Sequence, residues 1–375
     1  MLTAGGTGGH LFPAIALSQA LTARGYKTIL VTDKRGEKYR NDTAIPEFEI
    51  LNVSSPAGDI VTKIKSGISM TAGYFKARSL LKKYRPAPVA GFGGYPSFPL
   101  MMAAQHTNVP NIIHEQNAVI GKANLVMARN ADRIAISLPK IIGLSKAEKD
   151  RVAYTGNPVR DEIRNIHDMP YSAPDAEQDF TILLIGGSQG ASVFSQIVPK
   201  ALSRLPDHEQ KRLRIIQQCR SEDLQDTRNI YKEMGIRAEV ESFFHDMPER
   251  LKEAHLVISR AGASTVAEVT TAGLPAIFVP YPWHRDQQQK MNADIVSDHG
   301  GAWVMAQDGF TEEALSARLL TFLQEPGILN RAAKSSRECA RPDAASRLAD
   351  VIENILENTG VESLEESSPD KLKAL

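Results

Sequence analysis

The sequence predicts an α/β protein made of two doubly wound halves, each built on a parallel sheet. Short apolar runs alternate with longer helical stretches, and one glycine-rich opening occurs twice, about half a chain apart. The 375 residues exceed what one ordinary core holds, so two domains are expected. Hydrophobic residues make up 42% and charged residues 23%, a globular composition that excludes a mostly disordered chain.

Strands are predicted where a short apolar run ends at small or polar residues. These runs are residues 28–32, 89–91, 111–114, 133–136, 181–185, 214–217, 256–259 and 276–279. Helices are predicted between them, among others at residues 12–24, 68–84 and 193–205. Polar residues and two prolines at 166–179 indicate a linker or surface loop.

The glycine-rich turn at residues 3–9 resembles the one at residues 184–190, and each opens a helix at the end of a strand. Two such openings indicate two similar halves. Glycines at these places, and at 91–95, let backbone amides approach an anion closely, so all three loops are candidate phosphate sites. Only four residues precede Gly5, so either the first strand is short or the true start lies upstream.

Charge and cysteine content exclude several classes of protein. Lys plus Arg and Asp plus Glu are both 44, which removes the electrostatic footprint of a dedicated nucleic-acid binder. The two cysteines cannot form a disulfide framework or a cysteine zinc site, and the chain is expected to be cytoplasmic. No signal peptide and no apolar run long enough to span a membrane are found in the sequence.

A dinucleotide oxidoreductase is the first alternative, because Asp33 follows the second predicted strand. Its glycine spacing fails, since Leu11 stands where the third glycine belongs, and a Walker phosphate loop is absent. We therefore interpret Asp33 as an ordinary residue at a strand end.

Another candidate site is residues 259–268. Thr265 and Glu268 have the spacing of a capping box, with Gly273 and Pro275 ending the helix. The small residues 260–263 suit close backbone contact, and Glu268 could accept hydrogen bonds from a ribose diol. Amide and histidine side chains at 114–117, 156–160 and 280–293 follow strands and suit sugar hydroxyls.

Taken in order, these motifs resemble the MurG family. They are Gly5–His10 with Phe12-Pro13, Gly93-Gly94-Tyr95, His114-Glu115-Gln116-Asn117, Gly156-Asn157-Pro158-Val159-Arg160, residues 186–191, residues 260–268 and Gln288-Gln289 before Asn292-Ala293. The family moves GlcNAc from UDP-GlcNAc to lipid I, undecaprenyl-pyrophosphoryl-MurNAc-pentapeptide, giving lipid II for peptidoglycan. The resemblance covers about residues 1–350. It implies a GT-B fold, with two Rossmann-like domains facing across a cleft.

The implied domains are an acceptor and membrane domain at 1–157 and a UDP-GlcNAc-binding domain at 158–340. A helix at about 341–357 would pack back on the first domain, and 358–375 would form a flexible tail. The implied substrate-binding residues are Thr7, Gly8, Gly9, Tyr95, Asn117, Arg160, Ser188, Phe244, Ala263, Ser264, Thr265, Val266, Ala267, Glu268, Gln288 and Gln289. Among them, Arg160 and Ser188 would meet the pyrophosphate, the backbone at Phe244 uracil, and Glu268 the ribose. Three glutamines stand where the family shows two, so Gln287 is an alternative by a one-residue shift.

An α-linked donor and a β-linked product imply inversion, with a base that takes the proton of the acceptor hydroxyl. His10 is the first candidate for this base and Glu115 is the second. The alternative for each residue is a structural role, in which its side chain only makes hydrogen bonds within the protein. The absence of Asp-x-Asp from the sequence agrees with a reaction that needs no metal, and no cofactor is expected.

A lipid-linked acceptor implies peripheral attachment to an anionic membrane, at the cytoplasmic face of the bacterial inner membrane. Residues 60–85 interleave basic side chains with apolar ones and could lie on such a surface. The alternative is an amphipathic helix that packs on the sheet. Other cell-wall and division proteins are further implied partners; nucleic acid is not. Two other functions stay open, an inactive GT-B relative acting as an envelope-assembly scaffold and a UDP-GlcNAc epimerase.

Overall fold

The computed structural model describes residues 1–40, 47–53, 59–187, 191–283 and 286–359, so Ser188 and residues 360–375 of the predicted tail lie outside it. The chain forms two compact units. The first unit comprises Met1–Gln116, Ile120–Gly156 and Asp343–Leu375, and the second Asn117–Val119 and Asn157–Pro342. Each contains one parallel sheet with helices, which confirms the predicted α/β class.

The first unit holds a seven-stranded sheet. Its strands are β1 Leu2–Thr3, β2 Ile29–Thr32, β3 Glu47–Ile50, β4 Val89–Gly91, β5 Asn111–Glu115, β6 Arg133–Ile136 and β7 Val152–Tyr154. Its helices are α1 Gly8–Ala23, α2 Ile60–Tyr84, α3 Ser97–His106, α4 Lys122–Ala128, α5 Lys146–Lys149 and, from the end of the chain, α15 Ala344–Thr359; Glu37–Tyr39 is a 3₁₀ turn.

The strand order in the first unit is β3-β2-β1-β4-β5-β6-β7. The short β1 pairs with both neighbours, since Leu2 lies opposite Leu30 and Ala90. The chain winds outward in both directions from β1 and β4. Parallel sheets of this order bind ligands at the carboxyl ends of the two central strands, here called the switch point.

Helices cover both faces of this sheet, so its central strands are mostly apolar. On one face α1 and α15 pack together, with Leu11 and Ile15 in the same buried cluster as Leu348 and Ile352. On the other face Leu80 and Leu81 of α2 join Leu100 and Met101 of α3 and residues of α4. These layers hold the loops after β1 and β4 in fixed positions.

The second unit repeats the plan with six strands in the order β10-β9-β8-β11-β12-β13. Its strands are β8 Phe180–Ile185, β9 Leu213–Gln218, β10 Arg237–Glu241, β11 Leu256–Ser259, β12 Ala276–Phe278 and β13 Ala302–Val304. Its helices are α6 Asp161–Arg164, α7 Ser192–Ser203, α8 Asp207–Lys211, α9 Leu224–Glu233, α10 Met247–Glu253, α11 Ala263–Thr271, α12 Gln288–Asp298, α13 Glu312–Gln324 and α14 Pro326–Glu338. The switch point of this unit lies between β8 and β11.

The core of the second unit has two layers. Phe194 of α7, Tyr231 of α9 and Phe322 of α13 pack on one face of the sheet. Val266 of α11 and Ala293 of α12 pack on the other face, together with Phe244.

Each predicted strand is present, with ends shifted by at most one residue. The first strand, β1, is short, and the strands β3, β7, β10 and β13 were not predicted. The expected capping box is wrong: α11 begins at Ala263 with Gly262 as its N-cap, so Thr265 already lies in the first turn. The predicted end of that helix is confirmed, since Gly273 has φ +66° and Leu274 N donates to Val269 O.

Candidate functional site

At the first switch point two glycine loops pack backbone against backbone. Gly5 N donates to Gly93 O at 2.9 Å, and a Cβ on Gly94 would lie 2.6 Å from the Cα of Gly5. Gly93 and Gly94 have φ values of +82° and +81°, which only glycine adopts without strain. The loops after β1 and β4 therefore depend on glycine for both conformation and space.

His10, in the first turn of α1, lies against the second of these loops. A Cβ on Gly93 would be 3.3 Å from its Cε1 and 3.4 Å from its Nδ1. The ring is half-buried, and Nδ1 lies 3.2 Å from Gln116 Oε1. Burial lowers the pKa of His10 below its ordinary value, while Glu115, Gln116 and the Phe92 carbonyl oppose the shift. The imidazole is therefore neutral at pH 7 and can accept a proton.

Gln116 and His114 extend the contacts of His10 into the core, and both side chains are buried. Gln116 Nε2 lies 3.1 Å from Phe92 O, 3.1 Å from His114 O and 3.0 Å from His114 Nδ1. His114 Nε2 lies 3.1 Å from Gly156 O. Burial lowers the pKa of His114 to about 4, so this second histidine is also neutral at pH 7.

Glu115, the second candidate base, is buried and serves as a hydrogen-bond acceptor within the first unit. Its Oε2 accepts from Gly121 N at 3.0 Å and from Asn124 Nδ2 at 2.7 Å, which ties β5 to the start of α4. These contacts favour its structural role and leave His10 as the better placed base.

Asp33 has more contacts than an ordinary residue at a strand end. It is buried, and its Oδ2 pairs with Arg35 at 2.6 Å. A Cβ on Gly6 would lie 2.2 Å from Asp33 Oδ1, so the carboxylate closes directly on the first glycine loop. Burial raises the pKa of Asp33, but Arg35 and the backbone of Gly6 outweigh that and hold it below its ordinary value. Asp33 thus supports the loop that carries Thr7, Gly8 and Gly9.

The remaining predicted residues of the first unit lie at the same end of the sheet. Thr7 is the N-cap of α1 with its side chain uninvolved in capping, Gly8 packs against the Phe12 ring, and Gly9 is exposed. Tyr95 follows the second glycine loop and is 37% exposed. These residues are more exposed than Gln116 and His114, which are buried.

At the second switch point, α11 begins directly after β11 with Gly262 as N-cap and no side-chain cap. Ala263, Ser264 and Thr265 form the first turn, whose amides and helix dipole suit an anion. Val266 is different, because its side chain is buried in the core of the unit. Ala267 is half-buried beside it.

Glu268, one turn further along α11, faces Arg160, with 3.7 Å between its Oε1 and Nη2 of the arginine. Both side chains are largely buried, at 14% and 20% exposure. Burial raises the pKa of Glu268, and Arg160 opposes this. The second switch point thus carries a buried charge pair beside a helix N-terminus.

Asn292 of α12 orients another candidate residue, Asn117. It is fully buried; its Oδ1 accepts from Ala118 N at 3.1 Å, and its Nδ2 donates to Asn117 Oδ1 and Ala261 O, both at 3.1 Å. Asn117 is thereby held with the second unit, beside the start of α11. Asn292 belongs to a segment expected to suit sugar hydroxyls, but its amide is engaged within the protein.

The glutamine run starts α12. Gln288 and Gln289 are half-buried in its first turn, and Gln289 Oε1 accepts from Tyr281 N at 2.9 Å. Gln287 is the exposed N-cap, with φ +49°. This placement favours Gln288 and Gln289 over Gln287. Phe244 is buried, with the Arg250 guanidinium 5.2 Å from its ring centre.

The sequence predicted for Gln116, His114 and Asn292 only that their segments suit sugar hydroxyls, and it did not predict the side-chain partners that they have in the structure. The sequence feature that could have revealed them is a polar side chain at or facing the end of a buried strand, because a buried polar group needs a hydrogen-bond partner. In the part of the chain that the structure describes, no cluster of three or more His, Cys, Asp or Glu side chains could hold a metal ion.

Comparisons with known proteins cover nearly the whole chain. Residues 1–136 match the glycosyltransferase family 28 N-terminal domain and residues 181–354 its C-terminal domain. A UDP-N-acetylglucosamine–N-acetylmuramyl-(pentapeptide) pyrophosphoryl-undecaprenol N-acetylglucosamine transferase of Rhodospirillum centenum is 47% identical, over 94% of this chain and 93% of the relative.

Two solved structures resemble the fold. A crystal structure of MurG from Acinetobacter baumannii is 30% identical with a TM-score of 0.73, over 94% of this chain and 98% of that one. A UDP-N-acetylglucosamine 2-epimerase has a TM-score of 0.68, over 98% of each chain, but at 14% identity it shows the fold alone. The predicted GT-B class is confirmed.

Proposed function

We propose that this chain, which belongs to the MurG family of N-acetylglucosamine transferases, transfers GlcNAc from UDP-GlcNAc to the MurNAc 4-hydroxyl of lipid I, forming lipid II. It is a glycosyltransferase of peptidoglycan synthesis. The observation that carries the proposal within the structure is the second switch point. There the N-terminus of α11 lies beside the Arg160–Glu268 pair, which suits a nucleoside diphosphate.

The donor's parts match the chemistry of the second unit. The first turn of α11, at Ala263, Ser264 and Thr265, would bind the phosphates together with Arg160. Glu268 would accept hydrogen bonds from the ribose hydroxyls, and its neighbour Arg160 favours the charged form that such bonds need. Asn117, Gln288 and Gln289 would bind GlcNAc through amide groups, and the backbone at Phe244 would bind uracil.

The first unit supplies proton transfer in this proposal. The acceptor O4 attacks the anomeric carbon of GlcNAc, and the bond from that carbon to the diphosphate oxygen breaks with its electron pair leaving on UDP. The proton from O4 passes to His10 Nε2, a neutral imidazole nitrogen. Attack opposite the leaving group inverts the anomeric configuration. The charge that builds up on UDP is met by Arg160 and the α11 N-terminus.

The test is transfer of labelled GlcNAc from UDP-GlcNAc to lipid I by the purified chain, with and without EDTA. We expect lipid-linked label that requires lipid I and survives EDTA. A folded chain that transfers no label, or that alters UDP-GlcNAc equally well without lipid I, contradicts the proposal. The second outcome would favour the epimerase alternative.

We also propose that α2 attaches the chain peripherally to an anionic membrane, at the cytoplasmic face where lipid I is built. Ile64, Ile68 and Phe75 are 59%, 66% and 63% exposed on this helix, although Leu80 and Leu81 are core residues. Arg78 and Lys82 are also exposed, and all five side chains lie within about 40° of one line along the helix. Such a stripe of apolar and basic side chains suits a lipid surface.

Two basic residues of the same helix do not contribute to this stripe. Lys76 Nζ donates to Ile50 O at 2.7 Å, and Lys83 pairs with Glu49 at 3.0 Å, so both hold α2 to β3. Among the described residues no helix is long and apolar enough to cross a membrane.

Sedimentation with lipid vesicles tests this attachment. Ile68→Glu and Phe75→Glu should each reduce binding to vesicles that contain an anionic phospholipid. Val126→Glu, at another exposed apolar residue of the first unit, is the matched control and should bind as wild type does. Unchanged binding of both α2 variants would contradict the assignment.

A further inference from the structure

The chain of side chains behind His10 determines which nitrogen of its ring carries the proton. The amide of Gln116 is buried, with 2% of the residue exposed. One end of this amide lies 3.1 Å from two backbone carbonyl oxygens, Phe92 O and His114 O. Carbonyl oxygens only accept hydrogen bonds, so the end that faces them must be the NH₂ group. The amide oxygen of Gln116 consequently faces His10.

His114 fixes the same orientation from its other side. Its Nε2 lies 3.1 Å from Gly156 O, so this nitrogen carries the proton of the neutral ring. Its Nδ1 is then an acceptor, and it lies 3.0 Å from Gln116 Nε2. The atom of Gln116 that faces His114 Nδ1 must therefore be a donor. The contacts with Phe92 O and His114 O require the same NH₂ group at this position.

The consequence for His10 follows from its 3.2 Å contact with Gln116 Oε1. An amide oxygen cannot donate, so His10 Nδ1 must carry a proton to make this bond. A neutral imidazole has one N–H, which leaves Nε2 with its lone pair. We infer that Gln116 is a positioning residue that holds His10 in the Nδ1–H tautomer, with Nε2 ready to accept a proton.

This inference rests on the proposed function only for its catalytic meaning, since the tautomer itself is a property of the unliganded chain. The Nε2–H form prevails for histidine in water, so the protein must supply a specific acceptor at Nδ1 to reverse that preference. The groups that act on His10 are Glu115 and His114 from β5, Arg35 from the loop after β2, and the Phe92 carbonyl oxygen, which also accepts a hydrogen bond from the ring. Gln116 Oε1 is the side-chain acceptor that lies at hydrogen-bond distance from Nδ1.

The variant that tests the inference is Gln116→Met, which keeps the length of the side chain and removes its amide. Gln105→Met is the matched control, because Gln105 also uses its amide within the first unit, towards Asn111 Oδ1 and Met127 O. Both substitutions remove a glutamine amide from the first unit, but only Gln116→Met removes the partner of His10.

The first readout is the nitrogen NMR spectrum of histidine-labelled protein at neutral pH, with the His10 signals assigned from a His10→Asn variant. In wild type and in Gln105→Met we expect His10 protonated at Nδ1 and bare at Nε2. In Gln116→Met the ring should change to the Nε2–H form. A wild-type His10 protonated at Nε2, or a spectrum unchanged in Gln116→Met, overturns the inference whether or not the chain transfers GlcNAc.

The second readout is steady-state transfer to lipid I. We expect Gln116→Met to lower kcat about tenfold with KM for UDP-GlcNAc changed less than twofold, since only the fraction of reactive tautomer falls. Gln105→Met should retain wild-type kcat. A Gln116→Met enzyme with wild-type kcat would contradict the positioning role. The expected tautomer in a wild type that transfers nothing would refute the proposed function and leave the inference about Gln116 intact.

Discussion

The two switch points share one strand order but contain different chemistry. In the first unit, two glycine loops touch through their backbones and enclose a neutral histidine with buried amide and histidine partners. In the second unit, the corresponding place has a helix N-terminus with a glycine cap and a buried Arg–Glu pair. The first arrangement suits transfer of a proton, and the second suits binding of a diphosphate and a diol.

This difference teaches that a repeated fold fixes where a ligand binds and leaves its chemistry to a few side chains. Both units place small residues at the ends of their central strands, because a ligand must approach the backbone there. In our proposal, the residues just beyond, His10 in one unit and Glu268 in the other, determine what each switch point does.

The largest expected effect comes from removing the base. His10→Ala should lower kcat by about 10²–10⁴, the usual contribution of general base catalysis, with little change in affinity for UDP. Transfer kinetics and calorimetric titration with UDP measure the two quantities. His299→Ala removes an exposed histidine of the second unit and should have wild-type kinetics. A His10→Ala enzyme within threefold of wild type would eliminate His10 as the base.

The next effect is on the packing of the first switch point. Gly94→Ala should destabilise the first unit by about 3 kcal/mol, because its φ of +81° is strained for alanine and its Cβ would overlap the backbone of Gly5. Gly25→Ala is the control: φ is +88°, but the space around it is open, so about 1 kcal/mol is expected. Urea unfolding measures both. Equal losses would show that close packing of the two loops contributes nothing.

Replacing the acid of the second switch point should have a smaller effect. Glu268→Gln should weaken UDP binding about tenfold, since charge-assisted hydrogen bonds become neutral ones and Arg160 loses its partner. At saturating donor, kcat should stay within about threefold of wild type. A Glu268→Gln enzyme that binds UDP normally but turns over slowly would reverse the roles given to the two units.

The smallest expected effects are those of pH, which should act on kcat through the first unit and on UDP affinity through the second. His10 has a lowered pKa, so on acidification kcat should fall at a lower pH than that at which an ordinary histidine becomes protonated, because Nε2 then takes up a proton. Glu268 has a raised pKa, so on acidification it loses its charge at a higher pH than an ordinary glutamate, and UDP affinity should weaken there. Glu268→Gln should abolish that part of the affinity profile and leave the kcat profile unchanged. An identical affinity profile in the variant would count against Glu268.

The strands that could not be predicted from the sequence are the edge strands of the two sheets. The edge strands β3 and β10 begin with Glu47 and Arg237, and β7 and β13 have only three residues each. Charged residues in β3 and β10 interrupt the continuous apolar run that was the signal used, whereas β7 and β13 are apolar but short. The strands that were found have neighbours on both sides, and most of them form a clear apolar run.

The candidate sites show a similar division. The glycine loops and Glu268 could be predicted because a motif demands small or charged residues at fixed spacing. The chain from His10 through Gln116 to His114 could not, since it joins α1 to β5 across more than 100 residues. Likewise, Asn292 meets Asn117 only after both have folded into place. Local spacing identifies the residues, whereas their tertiary partners give them roles.

The most direct test of the division between the units is to measure UDP affinity and kcat side by side in His10→Ala and Glu268→Gln. We predict that His10→Ala binds UDP as wild type does and loses turnover, and that Glu268→Gln loses UDP affinity and retains turnover at saturating donor. Loss of both quantities to the same extent in both variants would contradict it, because the two switch points would then not have separate tasks.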